Sequence, residues 1–127
     1  MSLLVDTDVL IWHLRGYSQA TLRLNALPQW VISCVTYFEI LQGIRNKAEL
    51  QAVKLMLSQR QVIVLPLTPD ITDQAGVLLE TLTLSHGLGM GDALIAATAL
   101  EHGHGVLTAN TKHFRAVSGL RMEEFVI

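Results

Sequence analysis

Residues 3–14 read LLVDTDVLIWHL and show how this chain is built. The apolar residues 3–5 predict a short buried strand. Asp6 and Asp8 follow it with carboxylates that can cap a helix, and the apolar residues 9–14 predict that helix. A buried strand that leads directly into a helix is typical of proteins with a parallel sheet.

The rest of the chain also alternates between predicted strands and predicted helices. The strands are predicted at Val31–Ser33, Val62–Leu65, Gly105–Thr108 and, as a last edge strand, Leu120–Ile127. The helices are predicted at Ala20–Leu27, Val35–Gly43, Ala48–Ser58, Asp70–His86 and Asp92–His102. This order predicts an α/β fold with three α/β/α layers and a central, mainly parallel sheet of four to five strands.

The composition limits what the protein can be. Its 127 residues predict a single domain over residues 1–127. Half of them are hydrophobic and 16% are charged, which excludes intrinsic disorder and suggests that a partner covers part of the surface. The net charge of -2 provides no general basic field for nucleic acid. The single cysteine, Cys34, excludes an internal disulfide and is expected to be buried.

Membrane insertion is not expected. The sequence contains no stretch of about 18 or more apolar residues, and acids interrupt the first apolar run. The sequence therefore predicts a cytoplasmic protein.

Three acidic residues stand at the edges of apolar elements, namely Asp6, Glu39 and Asp92. Each has a plain structural interpretation. Glu39 can share a solvated helix face with Gln42, and Asp92 can be the N-cap of the helix that follows it. Asp6 can simply begin a turn, and Asp8 is expected to cap the first helix.

The predicted fold brings the three acids to one edge of the sheet. Ligands of open parallel sheets bind beyond the carboxyl ends of the strands. Carboxylates gathered there repel one another unless protons or cations neutralise them. Mg²⁺ and Mn²⁺ prefer oxygen ligands, and two such ions can clamp the attacking and leaving oxygens of a phosphodiester. No set of cysteines or histidines competes for this role.

Four blocks of sequence then carry a resemblance to a known family. They are LVDTDVLI at 4–11, TYFEILQG at 36–43, GDALIAA at 91–97 and LTANTKHF at 107–114. Together they resemble the PIN-domain ribonucleases, and specifically the VapC-type toxins of bacterial toxin–antitoxin pairs. The resemblance covers nearly the whole chain, and four blocks in order are far more specific than any one of them.

The resemblance implies a metal-dependent endoribonuclease, in which metal-activated water attacks an RNA phosphodiester. It implies that Asp6, Glu39 and Asp92 are catalytic and bind Mg²⁺ or Mn²⁺. The family's fourth acidic position falls at Asn110. The resemblance therefore implies a catalytic role for Asn110, although its side chain is neutral. Because Asn offers only one carbonyl oxygen, a second metal would bind weakly or only together with substrate.

Other side chains near these positions would assist. Thr108 resembles the family's polar residue that helps to hold metal or water. Asp8 would orient the metal ligands without binding the metal itself. Lys112 and Arg115 closely follow Asn110 and are the preferred phosphate contacts. They are chosen from the basic residues that could rim the site: Arg15, Arg45, Lys47, Lys112, His113 and Arg115.

The resemblance also implies partners. Proteins of this type bind RNA as substrate, bind an antitoxin that inserts a segment into the active-site groove, and commonly form homodimers. The exposed helix faces between Ala20 and Ser58 are the predicted antitoxin contact.

Two other functions remain open at this point. Asp6-Thr7-Asp8 also resembles the nucleophile motif of haloacid-dehalogenase-like phosphatases, in which an aspartate attacks phosphorus. That family usually has Thr or Val where Leu10 stands, and it carries a second acid near its last motif, where this chain has Ala96. The other alternative is a PIN-like module that binds RNA or protein without turnover, because the fourth acid is missing.

Overall fold

The computed structural model describes residues 2–127 and has the predicted α/β character. Within that range there are five strands: β1 Leu3–Val5, β2 Val31–Ser33, β3 Ile63–Leu65, β4 Gly105–Thr108 and β5 Met122–Glu124. The same range contains six α-helices: α1 Thr7–Leu14, α2 Ser18–Asn25, α3 Cys34–Gly43, α4 Lys47–Gln59, α5 Pro69–His86 and α6 Met90–His102. A short 3-10 turn at Thr111–His113 follows β4.

The strand pairings in the described range are parallel. β1 pairs with β4 and β4 with β5, while β2 pairs with β3. β1 also contacts β2 between these two hydrogen-bonded groups, so the strand order is β3-β2-β1-β4-β5. The predicted parallel sheet and its edge strand are confirmed. The order reverses between β1 and β4, which is where doubly wound sheets bind ligands.

Side chains on the strands alternate between two cores, one on each face of the sheet. Leu4 and Val106 are fully buried in a core that includes Ile95 of α6. Val5 and Leu107 point the other way, into a core built with α1, α2, α3 and α4. Each of these buried side chains contributes about 1.5–3 kcal/mol. Helices thus cover both faces, as the three-layer prediction requires.

Two helix starts differ from the sequence-based prediction. Asp6, rather than Asp8, is the N-cap of α1, and its carboxylate accepts a hydrogen bond from the Thr7 backbone N–H at 2.8 Å. Helix α6 begins directly after Gly89, so Asp92 lies in its first turn and not at the N-cap. The N-cap predictions for Asp8 and Asp92 were wrong because each helix starts earlier than its apolar run. Both carboxylates also contact residues outside their own helices, Asp8 at Ala109 and Asp92 at His113.

The structure also bears on the predictions for Cys34 and for membrane insertion. Cys34 is partly exposed rather than buried, because it opens α3 at the end of β2. Among residues 2–127, no helix combines the length and the apolar character needed to cross a membrane.

Candidate active site

Asp6 and Thr108 lie side by side at the carboxyl ends of the paired strands β1 and β4 and form the centre of the site. Asp6 comes directly after β1 and Thr108 is the last residue of β4. The Thr108 hydroxyl donates to Asp6 Oδ2 at 2.8 Å, and the Thr7 N–H donates to Oδ1. Asp6 is only 6% exposed and Thr108 is fully buried, so these contacts hold the carboxylate in one orientation.

Asp8 lies beside Asp6 in the first turn of α1. Its Oδ1 accepts from the Val9 N–H at 2.7 Å, and its Oδ2 accepts from the Ala109 N–H at 3.1 Å. The Thr108 hydroxyl is 3.4 Å from the same Oδ2. Asp8 therefore connects α1 to the segment after β4.

Glu39 projects from α3 and is contacted from two sides. The Thr7 hydroxyl donates to Glu39 Oε1 at 2.7 Å, and it lies 2.9 Å from the Thr36 hydroxyl. On the other side, a Cβ added at Gly91 would lie 3.2 Å from Glu39 Oε2. The carboxylate therefore sits against the first turn of α6, at the positive end of the helix dipole.

Asp92 stands in the same turn of α6 and faces His113. Asp92 Oδ2 is 3.1 Å from His113 Nδ1, and His113 Nε2 is 3.0 Å from Asn110 Nδ2. The Asn110 backbone N–H donates to the Thr108 hydroxyl at 2.9 Å. These contacts join Asp92 to the end of β4.

Burial raises the pKa of three of the acids, and the charges of neighbouring carboxylates add to the rise at Asp6 and Asp92. Burial, followed by the charge of Asp8, raises the pKa of Asp6 from 3.8 to about 7, although hydrogen bonds to its carboxylate oppose the rise. Burial also raises the pKa of Asp8. The pKa of Asp92 is raised by burial and by the charges of Glu39 and Asp8, against the effect of its histidine partner. The four carboxylates therefore share one negative field.

The chemistry of this set fits a hard divalent cation. Carboxylate oxygens are the ligands that Mg²⁺ and Mn²⁺ prefer, and a cation would relieve the repulsion around Asp6 and Asp92. In the described part of the chain, no three acidic, histidine or cysteine side chains are already arranged to hold a metal ion. A cation bound between them would draw these carboxylates closer together than they lie in the described residues.

Gly91 tests how closely Glu39 must approach α6. In Gly91→Ala, the new Cβ would force the Glu39 carboxylate back by a few tenths of an ångström. We expect weaker Mn²⁺ binding, measured by calorimetry. The free energy of unfolding should stay the same or rise by up to about 1 kcal/mol, because alanine favours a helix over glycine.

Gly76→Ala is the matched control for that variant. Gly76 lies in α5, and a Cβ there meets nothing within 4 Å. This variant should show the same gain in helix stability with unchanged Mn²⁺ affinity. Equal Mn²⁺ affinities in the two variants would contradict the importance of the close approach.

The predicted RNA contacts divide into two groups. Lys112 and Arg115 lie exposed after β4, and neither forms an ion pair within residues 2–127. Arg45 instead pairs with Glu49 at 2.6 Å, and the His113 ring faces protein groups on both sides.

A groove of about 500 Å³ opens beside Glu39 between α1, α3 and α4. Apolar and charged side chains both line it: Ile11, Leu14, Ile40, Ile44, Arg15, Arg45 and Glu49. The groove is therefore continuous with the acidic cluster.

Sequence reasoning missed the contacts made by Thr7, Gly91 and His113. For Thr7 a signal exists, since it stands between two acids at a strand end. For Gly91 the sequence offers no clear signal, because the predicted helix begins only at Asp92, whereas α6 begins at Met90. For His113 the sequence offers no signal, because its contacts depend on the turn that follows β4.

The family model of the PIN domain matches residues 3–120. The chain belongs to the PIN-domain family. This PIN domain is 37% identical over 116 residues to Ribonuclease VapC10 of Mycobacterium tuberculosis. The match covers 88% of this chain and 85% of the relative. It is 35% identical over 116 residues to Ribonuclease VapC19 of the same species, covering 87% of this chain and 90% of that one.

A solved structure agrees with these relatives. A chain of a toxin–antitoxin complex from Klebsiella pneumoniae superposes on this PIN domain with a TM-score of 0.80 and 30% identity. The match covers 98% of this chain and 100% of that one. The resemblance carried by the four sequence blocks is confirmed.

Proposed function

We propose that this PIN domain is a metal-dependent endoribonuclease, a VapC-like toxin that a cognate antitoxin restrains in the cytoplasm. One observation carries the proposal. Asp6, Glu39 and Asp92 gather at the ends of β1 and β4, in a chain that is 37% identical to a named ribonuclease.

The acids would act through a bound cation. Asp6, Glu39 and Asp92 would hold Mg²⁺ or Mn²⁺ through their carboxylate oxygens. When bound, the ion lowers the pKa of water and neutralises charge on the phosphodiester. The chain itself orients the ligands, since Thr108 donates to Asp6 and Thr7 donates to Glu39.

Asn110 would set the charge of the site. It stands at the end of β4 beside Thr108, where its carbonyl oxygen can take part without adding negative charge. A second cation would therefore bind weakly until an RNA phosphate brings its own charge. This agrees with a site that assembles fully only with substrate.

Lys112 and Arg115 are proposed to contact RNA phosphates, and their removal should weaken RNA binding. In the Lys112→Ala/Arg115→Ala double variant, the slope of log K against log salt should fall by about 0.7 for each lost contact. Fluorescence anisotropy with a short RNA in EDTA measures this. Lys54→Ala, an exposed lysine of α4, is the control and should keep the wild-type slope. An unchanged slope in the double variant would remove both residues from the RNA interface.

The groove beside Glu39 is the proposed antitoxin contact. Its α3 and α4 walls belong to the surface predicted from the sequence, and α1 contributes the third wall. An antitoxin segment lying there would cover apolar side chains and reach the acids, which would block RNA entry. Added antitoxin should therefore inhibit RNA cleavage and make the side chains of this groove less accessible to solvent.

A homodimer is also proposed. Val77 and Leu84 are separated by two turns of α5 and are 60% and 100% exposed. Residues seven apart share one face of a helix, and contiguous exposed apolar patches mark contacts between proteins. Sedimentation that finds only monomer at high concentration would rule the dimer out.

The experiment that separates the functions uses purified, antitoxin-free protein. A ribonuclease cleaves a structured RNA pool in Mg²⁺ or Mn²⁺ and stops in EDTA. A haloacid-dehalogenase-like phosphatase instead turns over a small phosphomonoester through a phosphoenzyme. A binding module retains RNA or protein without turnover. Either of the last two results would overturn the proposed function.

A further inference from the structure

His113 touches two other residues of the candidate site at once. Its Nδ1 lies 3.1 Å from Asp92 Oδ2, and its Nε2 lies 3.0 Å from Asn110 Nδ2. The 3-10 turn at Thr111–His113 brings the ring back towards Asn110, and the next residue, Phe114, is fully buried and anchors this turn. The ring is therefore positioned by the fold although 53% of the side chain is exposed.

A neutral His113 ring can satisfy both contacts in one tautomer only. An ionised carboxylate only accepts hydrogen bonds, so the nitrogen that faces Asp92 must carry the proton. The other nitrogen of a neutral imidazole is then an acceptor and needs a donor opposite it. The Asn110 amide supplies that donor, whereas an aspartate at position 110 would not.

We propose that His113 is a positioning residue that links Asp92 to Asn110 with its proton on Nδ1. The link orients two side chains together. It fixes the Asp92 carboxylate, and it directs Asn110 Nδ2 to the ring, so that Asn110 Oδ1 faces away from the ring. The purpose of this arrangement rests on the proposed function, in which both residues serve the cation site.

The alternative role for His113 is a direct phosphate contact with RNA. Each ring nitrogen already faces a protein partner at hydrogen-bond distance, so the ring has no free N–H to offer. The contacts therefore favour the positioning role. The two roles differ in what they change, since positioning affects cation affinity and turnover whereas a phosphate contact affects RNA affinity.

The first test is spectroscopic. In ¹⁵N-histidine-labelled, metal-free protein at about pH 8, where imidazole is neutral, long-range ¹H–¹⁵N spectra report the tautomer. His113 should have a protonated Nδ1 and an unprotonated Nε2, and its signals are assigned from their loss in His113→Leu. A His113 ring with its proton on Nε2 would overturn the proposal.

The second test uses three variants. His113→Leu should weaken Mn²⁺ binding by about 10- to 100-fold, as expected when a partner of a metal ligand is removed. Its kcat should fall while its KM stays near the wild-type value. His113→Gln carries an NH₂ group that donates and a carbonyl oxygen that accepts, so it keeps both kinds of hydrogen bond and should recover most of the loss. His102→Leu, at the far end of α6, is the control and should match the wild type.

The outcomes are distinct. RNA affinity in EDTA should be the same in His113→Leu and wild type, and a large drop would identify a phosphate contact instead. Wild-type Mn²⁺ affinity in His113→Leu, or no recovery in His113→Gln, would also overturn the proposal. The tautomer and the Mn²⁺ affinity are measured without RNA. If both agree while the wild type cleaves no RNA, the proposed function fails and the positioning role stands.

Discussion

Replacing Asp6 by Asn should abolish RNA cleavage and make the metal-free protein more stable. Asp6 is a proposed metal ligand, so we expect the rate of RNA cleavage in Mg²⁺ to fall by more than about 100-fold. Removing a residue that only hydrogen-bonds to a metal ligand usually costs less, about 10- to 100-fold. The gain in stability has a separate cause. Burial and the charge of Asp8 raise the pKa of Asp6 to about 7, so the ionised carboxylate is costly in the fold. Above that pH its removal should add up to about 4 kcal/mol to the free energy of unfolding.

Urea unfolding at about pH 8 in EDTA measures the stability of the metal-free protein. An RNA cleavage assay in Mg²⁺ on the same purified protein measures the activity. Asp73→Asn is the control, because Asp73 is an exposed acid of α5 outside the site. That variant should keep wild-type stability and activity. An Asp6→Asn protein that is folded and still cleaves RNA at the wild-type rate would exclude Asp6 from catalysis.

The stability of the metal-free protein should also depend on pH through Asp6, and Mn²⁺ should offset part of the stability lost at high pH. Between about pH 4 and pH 7, the folded state holds a proton on Asp6 that the unfolded chain has lost. The contribution of Asp6 to the free energy of unfolding is therefore fully present below about pH 4. It is lost as the pH rises through about 7, by up to about 4 kcal/mol.

The difference between wild type and Asp6→Asn isolates this effect from the other titrating groups. The advantage of Asp6→Asn should be small near pH 4, grow up to about pH 7 and stay constant above it. At pH 8, Mn²⁺ at a hundred times its Kd should stabilise the wild type by about 2.7 kcal/mol and have little effect on Asp6→Asn. A difference that is flat with pH, or equal stabilisation of both proteins by Mn²⁺, would refute this interpretation.

The position of Asp6 could be predicted from the sequence on physical grounds. A short apolar run that ends at an acid predicts a buried strand with a polar side chain at its carboxyl end. In a parallel sheet those ends lie on one edge, which is where Thr108 and Asn110 also fall. Glu39 and Asp92 were harder, since a solvated helix face and a helix cap explain each of them alone. Only their combination and the family resemblance favoured the site.

The contacts that organise the site could not be predicted in this way. Gly91 matters because α3 and α6 approach closely, and that distance depends on packing throughout the core. The bridge made by His113 depends on a 3-10 turn that Phe114 anchors, and no periodicity in the sequence signals such a turn. The start of α6 could not be predicted either, because its N-cap residue, Gly89, has no side chain that could signal a cap.

The most direct test of the proposed activity is the rate of RNA cleavage as a function of Mn²⁺ concentration in wild type, Asp92→Asn and Asp73→Asn. Asp92 lies in the acidic cluster, whereas Asp73 lies outside it, and both variants remove one negative charge. We expect wild type and Asp73→Asn to follow the same saturating curve, with no cleavage in EDTA, and Asp92→Asn to stay at the background rate at every concentration. Cleavage that persists in EDTA, or an Asp92→Asn curve that matches the wild type, would contradict a metal-dependent ribonuclease built on these acids.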